Sequence, residues 1–132
     1  MSDAMVTRTL LDAVERYFDL MFDGDVERFD RVFADSAQLH GLRDGNLRLV
    51  PAKDYKTALA SNPSPKAKRA PRHQEILLLD FASPTQAIAK VRVRIDTTQY
   101  VDYLSYHCIN NRWLITAKSF HVAQRYEPTT GS

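Results

Sequence analysis

A carboxylate within reach of an imidazole is a common device for moving protons, and this chain offers one aspartate and two histidines that could form one. Asp102 lies in "YVDYLSYHCIN", His121 in "WLITAKSFHV" and His40 in "FADSAQLHGLRDGNLRLVP". A carboxylate can take a proton from a carbon acid or a hydroxyl, and an imidazole titrates near neutrality and can relay it. Asp102 has a second reading, as a structural acceptor of hydrogen bonds from Ser119, Gln74 or a loop amide. Away from water it needs partners in either role. His121 stands at a strand end, where simple solvation is also open to it. His40 alternates with Leu39, and it enters the fold or faces out according to how its strand curves.

The elements that would position these groups can be traced from periodicity. Residues 3 to about 23 form a helix, with Val6, Leu10, Val14, Tyr17, Phe18 and Met21 on one face and Gly24 as its stop. Asp25 can cap a shorter helix whose apolar face is Phe29, Val32 and Phe33. Strands 36–42 and 46–50 follow around Asp44-Gly45, a hairpin signal. Pro51 suits the first turn of a third helix carrying Tyr55, Ala58 and Leu59. Residues 61–71, "SNPSPKAKRAP", are a loop, read either as solvated or as a basic lip beside a pocket. Four long strands complete the chain, at 72–81, 86–96, 99–109 and 112–122. Helices first and antiparallel strands after is the α+β pattern. One domain over residues 1–122 and a loose tail over 123–132 are expected.

Turns at "ASPT", Thr97-Thr98 and Asn110-Asn111 set a register. Cys108 then opposes Trp113, Tyr106 opposes Ile115, Leu104 opposes Ala117, Asp102 opposes Ser119 and Tyr100 opposes His121. One face collects Ile76, Leu78, Ala89, Val91, Val93 and Ile95, joined by Leu104, Tyr106, Trp113 and Ile115. The other collects Lys90, Arg92, Arg94, Tyr103, Ser105, Thr116 and Lys118. A one-residue slip would mix these sets. The first face grades from apolar to polar, and an apolar floor with convergent polar groups is how a small-molecule pocket is built.

Composition limits the rest. The chain has 132 residues, 44% hydrophobic and 26% charged, which is ordinary for a globular protein able to bury its own core. A net charge of +2 gives no footprint for nucleic acid. Cys108 is the only cysteine, so there is no internal disulfide, and the scattered histidines favour no metal site. No apolar run is long enough for a membrane span or a signal peptide, and a cytoplasmic location is the expectation.

The stretches "AVERYFDLMFDGDVERFDRVFADSAQLHG", "DGNLRLVPAKDY", "YVDYLSYHCINNRW" and "WLITAKSFHV" together resemble the nuclear transport factor 2-like superfamily. Within it, the chain most resembles the putative lumazine-binding, polyketide-cyclase-like (SnoaL-like) branch. The resemblance spans about residues 5–122 and implies a cone. A curved, mixed, mostly antiparallel sheet would pack against three N-terminal helices, as in the cystatin-like folds. It implies a pocket for a small, partly apolar molecule. From the helices and the strand that follows them, Tyr17, Met21, Phe33 and Tyr55 would line it. From the later strands, Gln74, Tyr100, Leu104, Tyr106, Ala117 and Ser119 would do so. Isomerases, dehydratases and cyclases of the superfamily place an Asp, or an Asp–His pair, in the cone. Asp102 with His121 or His40 is the corresponding set here, with Tyr17, Tyr55 and Tyr106 available as oxyanion donors. No complete signature of one enzyme is present, and no cofactor is implied. A filled cone serving as an interaction module is the third reading. The superfamily often dimerises through the outer sheet face, and Val101, Tyr103 and Phe120 suit a homodimer there.

Overall fold

In the computed structural model, which describes residues 2–127, the first helix, α1, spans Asp3–Asp23. Its start is fixed by Ser2, whose side chain accepts a hydrogen bond from the Met5 amide. Its stop is Gly24, at φ 66°, whose N–H donates to the Leu20 carbonyl. Asp25 then caps the next helix by accepting from the Glu27 amide; Val26–Arg31 winds as a 3₁₀ helix rather than an α-helix. Strand β1 (Phe33–Arg43) starts earlier than expected. It turns into β2 (Asn46–Pro51) through Asp44 and Gly45, both at positive φ as a tight hairpin requires. Pro51 caps α2 (Ala52–Ser61). After a loop come β3 (Gln74–Ser83), β4 (Gln86–Ile95), β5 (Thr98–Ile109) and β6 (Arg112–Arg125).

The six strands form one curved sheet in the order β2-β1-β6-β5-β4-β3. All pairs are antiparallel except β1 with β6, which run parallel. The inner face of β4, β5 and the first half of β6 packs on α1. Leu10, Val14, Ala89, Val91, Leu104 and Ile115 are completely buried between them. Each large apolar side chain so buried contributes about 1.5–3 kcal/mol against exposure, so α1 is held by its stripe and not by helix propensity.

Three differences from the register expected from sequence bear on the site. The β4–β5 turn is Asp96-Thr97, not Thr97-Thr98, so Asp102 pairs with Val91 instead of Val93. This is a shift of two, and the faces are unchanged. In β3 the register slips between Ile76 and Leu78. Leu78 therefore turns outward, 52% exposed, and Leu79 takes the inner position. In β6 the register slips between Ile115 and Ala117, leaving Thr116 as an extra residue against β5. A bulge of this kind reverses the face of the residues that follow it, here as far as Val122, where the register slips again, and bends the strand. Leu104 now faces Lys118, and Asp102 faces Phe120. Lys118 and Phe120 point into the cone; Ala117, Ser119 and His121 point out.

The last strand continues through Arg125, so residues 123–125 of the expected tail are strand. Residues 128–132 of that tail lie outside the described residues. Among the described residues, no helix is long and apolar enough to cross a membrane.

Candidate functional site

The bulge at Thr116 creates the site. Lys118, a polar residue in the second half of an amphipathic strand, is carried under the helices and is 4% exposed. It lies in a row with Leu39 of β1 on one side and Leu104 of β5 on the other. Burying an ammonium is costly unless it is compensated. The compensation is Asp102, one row along on β5 and 1% exposed, with Oδ2 3.9 Å from the lysine Nζ. Aromatic rings complete it: Nζ stands 5.1 Å from the Tyr17 ring centroid and 5.0 Å from that of Tyr55. Tyr17 Oη donates to Asp102 Oδ2 at 2.5 Å. Asp102 Oδ1 is buried with no hydrogen-bond partner among the described residues. Tyr55 Oη donates to the Met21 sulfur at 3.1 Å.

Above this cluster is a cavity of about 350 Å³. Its walls are mostly apolar: Met21 from α1, Leu39 and Val50 from the hairpin, Leu59 from α2, Ile95 and Phe120 from the sheet. Tyr55, Tyr100 and Lys118 supply the polar groups within. The loop after α2 closes one side with Asn62, Pro63, Ser64 and Pro65, and is tied to α1 by the Lys66 amide donating to the Phe22 carbonyl at 3.0 Å. Its Lys68 pairs with Asp96 at the mouth, 2.9 Å apart. The basic loop is therefore a lip of the pocket, but that lysine is already neutralised.

The residues anticipated for the site divide clearly. Met21, Tyr55 and Tyr100 line the cavity. Asp102 and Tyr17 lie behind Lys118 and do not reach it. Phe33 is packed into an aromatic stack with Phe29, centroids 4.8 Å apart, beneath the cavity. Leu104 and Tyr106 are core, and the Tyr106 hydroxyl has no partner among the described residues. Gln74 sits apart, accepting from Arg72 on the far side of α1. Ala117, Ser119 and His121 face outward because of the bulge. His40 is opposite Leu49 and Ser119 on that same outer face, while its neighbour Leu39 is buried. The two imidazoles and Asp102 are thus on opposite sides of the sheet, and no Asp–His pair forms. Lys118 and Phe120 are the inward residues of β6 that sequence reasoning placed on the outer face.

A model of the family described as putative lumazine-binding matches residues 5–121 of this chain. The chain belongs to that family. In shape, this putative lumazine-binding protein is similar to nuclear transport factor 2-like proteins of unknown function. One, from Shewanella baltica, is 16% identical with a TM-score of 0.80, the match covering 94% of this chain and 98% of that one. Another, from Silicibacter pomeroyi, is 18% identical with a TM-score of 0.78 over 92% and 99%. A ketosteroid isomerase-like protein from Erwinia carotovora atroseptica is 10% identical with a TM-score of 0.68 over 89% and 95%. At these identities the likeness establishes the fold alone. No curated protein matches the sequence.

The buried cluster of this family member has an alkaline signature. Tyr17, Tyr55 and Tyr106 hold their protons above the ordinary tyrosine value of 10.0. Burial is the main cause in each. At Tyr17 the Asp102 charge adds to it; Lys118 opposes it at Tyr55, and Arg16 opposes it at Tyr106. Burial works against the Lys118 charge, but Tyr55 and Asp102 outweigh it, and the lysine too is raised from 10.5. The unfolded chain loses these protons from about pH 10, and the folded chain holds them longer. Stability is therefore full below that pH and falls above it. Ultraviolet titration of the six tyrosines is expected to show a late step that coincides with unfolding. Smooth ionisation of all six on a chain still folded by circular dichroism would contradict this.

Proposed function

We propose that the protein binds a small, partly apolar molecule in the cavity between α1, α2 and the sheet. The observation that carries this is a cavity of about 350 Å³ with mostly apolar walls and a single buried cation, Lys118, among its lining residues. Ligand pockets commonly combine an apolar lining with few, fixed polar groups. The family's description points to a lumazine, and a bicyclic heterocycle is of a size that fits. The alternative of Asp–His proton transfer finds neither His40 nor His121 among the lining residues. Naphthalene is a suitable probe, since it tests the apolar volume alone. It is expected to shift the methyl resonances of Met21, Leu39, Val50 and Ile95, and Ala58→Trp at the rim is expected to prevent this. Unchanged spectra at the solubility limit of the probe would remove the proposal.

We also propose a homodimer through the outer sheet face. Phe120 no longer supports it, because the bulge turns that ring inward. Tyr103 remains, 43% exposed, beside half-buried Val101 and Ile88. A dimer is expected by equilibrium sedimentation at micromolar concentration, weakened by Tyr103→Glu. A monomer under those conditions would end it.

A further inference from the structure

We propose that Lys118 is the polar anchor of the cavity and that it receives an uncharged carbonyl oxygen, not a carboxylate. This rests on the reading of the cavity as a ligand site and names the class of ligand.

The lysine has donors to spare. An ammonium carries three N–H groups. Tyr55 stands beside the ammonium, its ring centroid 5.0 Å from Nζ. Asp102 Oδ2, at 3.9 Å, is outside hydrogen-bonding reach. The side chain is 5% exposed and lines the cavity, so bulk water does not satisfy what is left. A guest with an acceptor does.

Charge selects among acceptors. Asp102 is fully enclosed behind the lysine and does not touch the cavity, yet its charge balances the ammonium. At the mouth, Lys68 and Asp96 balance one another in the same way. The site is therefore electroneutral before a ligand enters. A carboxylate would bring an uncompensated negative charge into a mostly apolar cavity, facing Asp102 just behind the lysine. An amine would meet the lysine itself. A ketone, lactone, imide or similar carbonyl adds no charge, takes the free N–H and leaves its apolar body to the walls. Tyr55, Tyr100 and Phe120 give the wall an aromatic surface for that body.

Three probes built on one ring system separate the possibilities: acetonaphthone and naphthoate, nearly equal in shape, and unsubstituted naphthalene. Acetonaphthone is expected to bind at least about tenfold more tightly than naphthalene, since a hydrogen bond to a charged donor is worth about that much. Naphthoate is expected to bind no better than naphthalene. The carbonyl stretch of the bound ketone is expected to move to lower frequency. Lys118→Met should remove both the preference and the infrared shift while keeping naphthalene binding. Because that change strands a buried carboxylate, the double variant Lys118→Met with Asp102→Asn provides the same test in a neutral site. Tighter binding of naphthoate than of the ketone overturns the proposal, and so does a ketone preference that survives in the double variant. Naphthalene binding without any ketone preference overturns the anchor but leaves the cavity reading standing. Failure of all three probes to bind overturns both.

Discussion

Lys118→Met is expected to destabilise the fold by about 3–5 kcal/mol, and adding Asp102→Asn to the same chain is expected to restore most of the loss. The reason is the enclosure of both partners, the lysine 4% and the aspartate 1% exposed. Removing the ammonium leaves a carboxylate with one oxygen held by Tyr17 and the other with no hydrogen-bond partner among the described residues. Water cannot reach it to compensate. Methionine matches the lysine stem in length and adds no polar atom. Asparagine keeps the acceptor for Tyr17 and removes the charge, so the double variant holds no unpaired ion. Asp102→Asn alone should cost less than Lys118→Met, since Tyr17 and Tyr55 still offer their ring faces to the ammonium. Urea unfolding of the four proteins in the cycle measures the coupling. Losses that simply add, leaving the double variant the least stable, would mean that the pair is not a pair.

Gly41→Ala is expected to cost about 1–3 kcal/mol and to weaken the binding of naphthalene. Gly41 pairs with Phe120 across the parallel β1–β6 ladder. A Cβ at position 41 would fall inside the space occupied by the Phe120 ring. The backbone there needs no special conformation, so the glycine is present for clearance and not for its dihedral freedom. The displaced ring has Tyr100 as an edge-to-face neighbour, centroids 6.3 Å apart, and both rings line the cavity. Its movement must change the shape of the site. Thermal unfolding and a naphthalene titration of the variant check the two effects together. An alanine variant with unchanged melting and binding would show that the ring relaxes freely.

These two variants also separate what holds the fold from what shapes the site. The α1 stripe and its sheet face are apolar contacts, many and individually replaceable. The site depends on a few single residues: one extra residue in β6, one glycine opposite a ring, and one buried ion pair. The outward histidines belong to neither group.

Much of this was legible in the sequence, because it depends on near neighbours along the chain. The α1 boundaries follow from a 3.6-residue stripe and from Gly24, and the structure matches them at Asp3–Asp23. Asp44-Gly45 and Asn110-Asn111 are turn signals read from adjacent residues, and all four take positive φ. The burial of Asp102 followed from alternation in β5, and a two-residue error in pairing could not change its face. The family resemblance was carried by the order of these local signals.

The site itself depended on pairing between distant strands. A bulge arises when two residues of one strand meet one of another, and both ladders of β6 must accommodate it. Its trace was present in "WLITAKSFHV": Trp113 and Ile115 are apolar in one phase, Phe120 and Val122 in the other. A uniform period of two assigned Phe120 to the outside and Ala117 to the pocket. What the phase change left open was the residue at which the strand bulges, and hence whether Lys118 faced water or Asp102. Burying an ammonium is so unfavourable in isolation that no local rule would place it there. Only the assembled cone, with a carboxylate and two aromatic rings converging on one point from α1, α2 and β5, makes the inward lysine the stable arrangement.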